Sequence, residues 1–68
     1  MEIGIIAELT PERHLGYIKQ KGVKENIFFH EEALIGVRFA ELKKGAKVMF
    51  AVTKSLKGPY ATEVRKPA

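Results

Sequence analysis

Cysteine, tryptophan and aspartate are all absent from the chain. Without cysteine there is no disulfide, no thiolate metal site and no thiol nucleophile. A zinc site needs three or four converging ligands, which two histidines without cysteine or aspartate do not supply, so no metal and no cofactor are expected. The eight carboxylates are all glutamates scattered among lysines, and no serine or lysine stands in a nucleophile motif. Lys43-Lys44-Gly45 resembles a phosphate-binding loop only superficially, since the glycine-rich frame is absent, and reads as a solvated basic turn. The expectation is therefore no enzyme and no small-molecule substrate. No apolar run is long enough to span a membrane. The apolar start, 1–9, is too short for a signal peptide and lacks a basic leader, which gives a cytoplasmic protein with no membrane partner.

With 46% apolar and 29% charged residues, the chain holds more core-forming material than a disordered segment. Its 68 residues make one domain, near the lower limit at which packing alone holds a fold. No internal repeat divides it, and it reads as one module over 1–66 with a short tail at 67–68. Twelve lysines and arginines against eight glutamates give a net charge of +4, which points modestly toward a polyanionic partner.

Alternation supplies the strands. From Glu2 to Leu9, Ile3, Ile5, Ala7 and Leu9 alternate with Gly4, Ile6 and Glu8, one face apolar and the other mixed. Thr10-Pro11-Glu12 breaks the run, since proline cannot donate to a ladder. A second strand over Arg13 to Gln20 sets Leu15, Tyr17 and Lys19 opposite His14, Gly16, Ile18 and Gln20. After a turn at 21–24, a third strand at 26–30 places Ile27 and Phe29 on one face, Phe28 and His30 on the other.

Propensity alone writes two helical turns between Glu31 and Lys44, around Gly36. The fourth strand, Lys47 to Thr53, turns Val48, Phe50 and Val52 inward, and a turn at 55–59 leads to the last, Tyr60 to Arg65. Five strands with one long crossover fit a small barrel better than a sandwich, with Ile18, Ile27, Phe29, Val48 and Phe50 inside.

Tyr17 with Lys19, and Phe28 with His30, then share the outer face of adjacent strands. Any one such ring is more readily a core residue. As a set beside cations, the rings offer unpaired bases a stacking surface, with lysines to neutralise phosphate.

The blocks Gly4-Ile5-Ile6, Arg13-His14-Leu15-Gly16-Tyr17-Ile18, Asn26-Ile27-Phe28-Phe29-His30, Phe39-Ala40-Glu41-Leu42-Lys43-Lys44-Gly45 and Lys57-Gly58-Pro59-Tyr60-Ala61 resemble, in order and spacing, those of a cold-shock domain. The resemblance covers nearly the whole chain. It implies an all-β fold, a five-stranded antiparallel oligonucleotide-binding (OB) barrel, with a long irregular loop holding one short turn in place of the two helical ones. It also implies a monomer that binds single-stranded RNA or DNA, with an RNA-chaperone role. It implies that Tyr17, Phe28 and His30 stack bases, with Arg13 and Lys57 at basic positions of the family and Phe39 at an aromatic one; with Lys19 from the outer face and Tyr60 from the last block, these are the expected binding residues. Glu8 stands where the family has an exposed tryptophan, Leu9 and Leu15 where it has phenylalanines, His14 where its motif has glycine, and Glu31 where an aromatic often follows the histidine. These departures keep open a second reading, a protein-interaction barrel that has lost much of its nucleic-acid face.

Overall fold

The computed structural model describes residues 1–67; of the expected tail at 67–68, Ala68 lies outside the described residues. Five strands, β1 (Glu2–Thr10), β2 (Leu15–Lys19), β3 (Ile27–His30), β4 (Lys47–Ser55) and β5 (Gly58–Arg65), close into a barrel in the order β1-β2-β3-β5-β4. All pairings are antiparallel except β3 with β5, a parallel contact at Phe28 and Tyr60 that closes the barrel. Closure leaves no long unpaired edge on so small a sheet.

The interior holds Ile6, Ile18, Ile27, Phe29, Val48, Phe50, Ala61 and Val64, so the five residues expected inside are all buried. Val37 and Leu42, from the long connection, cap this core. Phe29 and Phe50 are the largest fully buried side chains, as period-2 alternation in β3 and β4 requires.

β1 does not follow its own hydrophobic pattern. The face reading as uniformly apolar points outward, leaving Ile3 49% and Ile5 44% exposed, while Gly4 and Ile6 turn inward. Pairing explains the inversion: Gly4 lies opposite Val48 and Ile6 opposite Ile18, both core residues. Glycine is needed there, because a Cβ would stand 2.6 Å from the Ile18 side chain and 2.9 Å from the Lys19 carbonyl oxygen. The register then slips by one residue between Ile6 and Glu8, a bulge at Ala7. Beyond it Leu9 packs on the core, and Glu8 moves to the outer face opposite Tyr17.

A similar irregularity shifts β5 against β4 between Met49 and Ala51, near Glu63, which takes the left-handed conformation at φ 50°. Val52, expected inside, pairs with the buried Ala61 and so shares its inward side, yet it is 40% exposed. It sits at the barrel's end, where it borders a shallow groove with Val23, Ile27 and Pro59 rather than packing under a covering layer.

Arg13 lies outside β2, in a single 3₁₀ turn over Pro11–Arg13. The long connection forms two such turns, Glu31–Ala33 and Phe39–Glu41, where the family resemblance implied one and propensity two helical segments. Between them Leu34 bridges to Val64 and the Ile35 N–H donates to the Val64 carbonyl, contacts a continuous helix would forfeit. Glu41 accepts the Arg38 N–H at 2.9 Å. That hydrogen bond, aided by the Lys66 ammonium, holds the Glu41 carboxyl below its ordinary range.

Candidate nucleic-acid interface

Cross-strand register builds the site. Glu8 of β1 lies opposite Tyr17 of β2, Tyr17 opposite Phe28 of β3, Phe28 beside Tyr60 of β5, and Tyr60 opposite Thr53 of β4. Three aromatic residues thus follow one another across the outer face, in a row perpendicular to the strands. The inward neighbours Ile18, Ile27, Phe29 and Ala61 are buried, which fixes the outward direction of the row. Tyr17 is 37% exposed, while Phe28 and Tyr60 are half-buried. Tyr17 and Phe28 meet edge to face, with ring centroids 5.9 Å apart at 65°. Such contacts contribute about 0.5–1.5 kcal/mol and hold the rings in place before any ligand arrives.

The row borders an open groove of ≈ 660 Å³ walled by Tyr17, Phe28, Tyr60 and Lys57, with Glu25 and Asn26 at its edge. Lys57 is set there by the tight Ser55–Gly58 turn, in which the Ser55 hydroxyl donates to the Gly58 carbonyl at 2.8 Å and accepts the Lys57 N–H at 3.3 Å. On the other side of Phe28 and Tyr60 a smaller groove of ≈ 330 Å³ includes His30. The Nδ1 atom of His30 accepts the Glu32 N–H at 3.2 Å, which leaves Nε2 as the ring nitrogen free to meet a ligand.

Five of the eight expected binding residues therefore converge: Tyr17, Phe28, His30, Lys57 and Tyr60. The other three stand apart from these grooves. Lys19 shares the outer face of β2 with Tyr17 but borders neighbouring grooves. Arg13 is exposed in the turn before β2. Phe39 packs partly against the core and edge-on to His14, with centroids 6.0 Å apart at 66°.

Two of the departures from the family pattern turn out to be joined. His14 occupies the left-handed region at φ 55°, ψ 41°, where glycine carries no steric cost. Its Nδ1 lies 3.2 Å from a Glu31 carboxylate oxygen, and its carbonyl accepts the Glu31 N–H at 2.9 Å. His14, Glu31 and Phe39 thus form one polar-aromatic cluster at one end of the face. Sequence reasoning placed His14 and Glu31 singly and missed their contact, because they are far apart in the chain and meet only through the β2–β3 register. It also missed Asn26 as a wall of the groove, for which its place just ahead of the aromatic strand was the available signal.

Among the described residues no group of three potential ligands stands close enough to hold a metal ion, and no helix is long and apolar enough to cross a membrane. A barrel of this order with an aromatic row on β2, β3 and β5 defines the oligonucleotide-binding class. The chain belongs to the cold-shock domain family: the model of the 'Cold-shock' DNA-binding domain matches residues 2–67. It is 38% identical over 64 residues to Cold shock-like protein CspD of Haemophilus influenzae, covering 94% of this chain and 89% of that protein. It is 35% identical over 65 residues to Cold shock-like protein CspA of Stigmatella aurantiaca, covering 96% of each. A probable cold shock protein A of Mycolicibacterium smegmatis is 34% identical over 65 residues, covering 96% of this chain and 97% of that one.

Proposed function

We propose that the protein binds single-stranded RNA or DNA by stacking bases on Tyr17, Phe28 and Tyr60, with Lys57 and Lys19 neutralising phosphates, and that it catalyses no reaction. The observation that carries this reading is the register-built row of three rings beside Lys57. Stacking suits unpaired bases, since a ring needs the face of a base that duplex stacking hides, and each stacked base contributes about 1–3 kcal/mol. Stacking is also tolerant of sequence, because every base has a π-face. A protein of this kind acts as a monomeric cytoplasmic RNA chaperone, holding strands open without selecting them closely. Because its Nδ1 accepts the Glu32 N–H, His30 carries its ring proton on Nε2, which is positioned to donate to a base-edge acceptor or a phosphate oxygen. Arg13 and Phe39 contribute at the far end, where the His14–Glu31 contact reduces what that end offers a polyanion, while the Glu8 carboxylate stands beside Tyr17 in the row itself.

The test is a set of binding isotherms for a short single strand and for the matching duplex at several salt concentrations. The single strand binds more tightly and keeps residual affinity at high salt, because stacking is not screened. Equal, weak binding to both that vanishes at physiological salt would remove the platform and favour a protein-interaction barrel.

A further inference from the structure

The platform groove is lined by one lysine, Lys57, and one glutamate, Glu25, so much of the protein's positive charge lies elsewhere. Asn26 borders the platform groove and also a second one, of ≈ 530 Å³, whose walls include Lys19, Lys24 and Lys44. This second groove shares Ile5 and Lys19 with a third, of ≈ 320 Å³, to which Lys21 and Lys47 belong. By these shared residues the second and third grooves adjoin and make a channel that begins beside the platform groove, past Asn26, and runs along β1 toward Lys47 of β4. Among the described residues, none of these five lysines takes part in an ion pair; the pairs present involve His14, Arg65 and Lys66. Glu8, at the platform end, is the carboxylate on the channel wall.

The channel floor is aliphatic and exposed: Ile5 is 44%, Ile3 49% and Val23 46% accessible. Ile5 pairs with Lys19 on one side and Lys47 on the other, so two ammonium-bearing strands flank it, roughly 10 Å apart by sheet spacing. No aromatic residue lines the second or third groove. The channel therefore has the means to neutralise phosphates but none to stack bases. Tyr17 and Lys19 lie on the same face of β2, two residues and about 7 Å apart, so a backbone leaving the platform meets the channel directly.

We propose that this lysine-bordered channel carries the sugar–phosphate backbone of the nucleotides flanking those stacked on the platform, adding sequence-independent affinity that only longer strands obtain. The inference rests on the single-strand reading above. Its test compares oligodeoxythymidylates of about 4 and about 10 nucleotides across a salt series, for the wild type and for K21Q/K24Q/K44Q/K47Q, with Lys19 left in place. Four further phosphate contacts at about −0.7 each steepen the log-log salt slope of the long strand by about 2.8. A fourfold rise in salt then costs the long strand on the order of fiftyfold more than the short one. In the variant the long-strand slope falls to the short-strand value, while short-strand affinity is unchanged and thermal unfolding confirms the fold. Equal slopes for the two lengths in the wild type, a measurement that needs no variant, would overturn the proposal, as would equal weakening of both strands by the substitutions. Absent short-strand binding with a steep long-strand slope would instead sink the platform and leave the channel standing.

Discussion

Phe29→Ala lowers the stability of the barrel by about 3–5 kcal/mol, the range for removing a fully buried phenylalanine. A domain of this size has only about 3–10 kcal/mol in total, so much of the population unfolds. Phe29 is 0% exposed, and its ring faces Gly16 across the β2–β3 ladder. Phe28→Ala, one position away, acts differently because its ring stands on the outer face between Tyr17 and Tyr60. It sacrifices the edge-to-face contact with Tyr17 and some half-buried area, costing less stability than Phe29→Ala. Oligonucleotide binding weakens by about 1–3 kcal/mol, roughly five- to 150-fold. Urea unfolding and binding isotherms on both variants make the comparison. Equal loss of stability, with no selective loss of binding for Phe28→Ala, would contradict the assignment of one ring to the core and the other to the platform.

Gly16→Ala is also expected to damage the fold, although it adds a single methyl group. A Cβ at that position would stand 2.7 Å from the Glu8 carbonyl oxygen and 2.9 Å from two atoms of the Phe29 ring. The oxygen belongs to the backbone of the paired strand just past the bulge at Ala7, and the ring is locked in the core, so neither neighbour yields cheaply. Overpacking of this kind costs typically 1–3 kcal/mol. At about 4–8 °C per kcal/mol for a domain this small, the melting temperature falls by about 4–24 °C. The same substitution pushes β1 away from β2 beside Glu8 and Tyr17, so binding declines with it. A melting temperature within about 2 °C of the wild type would show that β1 and β2 approach less closely than their register implies.

The parts of this architecture that alternation controls were legible in the sequence. β3 is four residues of strict in-out pattern, and its register, with that of Val48 and Phe50, followed directly. Where the pattern was uniform or interrupted, it misled. Ile3, Ile5 and Ile6 are equally apolar, and only pairing with Val48 and Ile18 decides that Gly4 and Ile6 point inward. The bulge at Ala7 then reverses the parity for Glu8 and Leu9, and no local signal in that stretch announces it. Val52 has the right direction but lies at the open end of the barrel, a consequence of where closure occurs rather than of its own residue type. Helix propensity in Glu31–Lys44 yields to Gly36, at φ 68°, and to the Leu34–Val64 bridge.

Of the site, Tyr17, Phe28 and His30 were readable because adjacent strands and a short turn place them together. Tyr60 and Lys57 join them only through the parallel β3–β5 contact, a long-range pairing that periodicity does not encode. The channel of lysines was not legible at all. Its lysines come from β2, β4 and the connections around 21–24 and 44, and they are scattered along the sequence like ordinary solvated charges.

The most direct test of base stacking on the Tyr17–Phe28–Tyr60 row is a chemical-shift titration of the labelled protein with a single-stranded oligonucleotide of about four nucleotides at high salt, where screening removes most of the phosphate contribution. The largest changes fall on the ring protons of Tyr17, Phe28 and Tyr60, with ring-current shifts to lower frequency as bases stack, and on His30 and Lys57 at the borders of the row. The buried Phe29 and Phe50 rings move little. Shifts confined to backbone amides near lysines, or the largest changes on the far side of the barrel with the three rings unperturbed, would contradict the account.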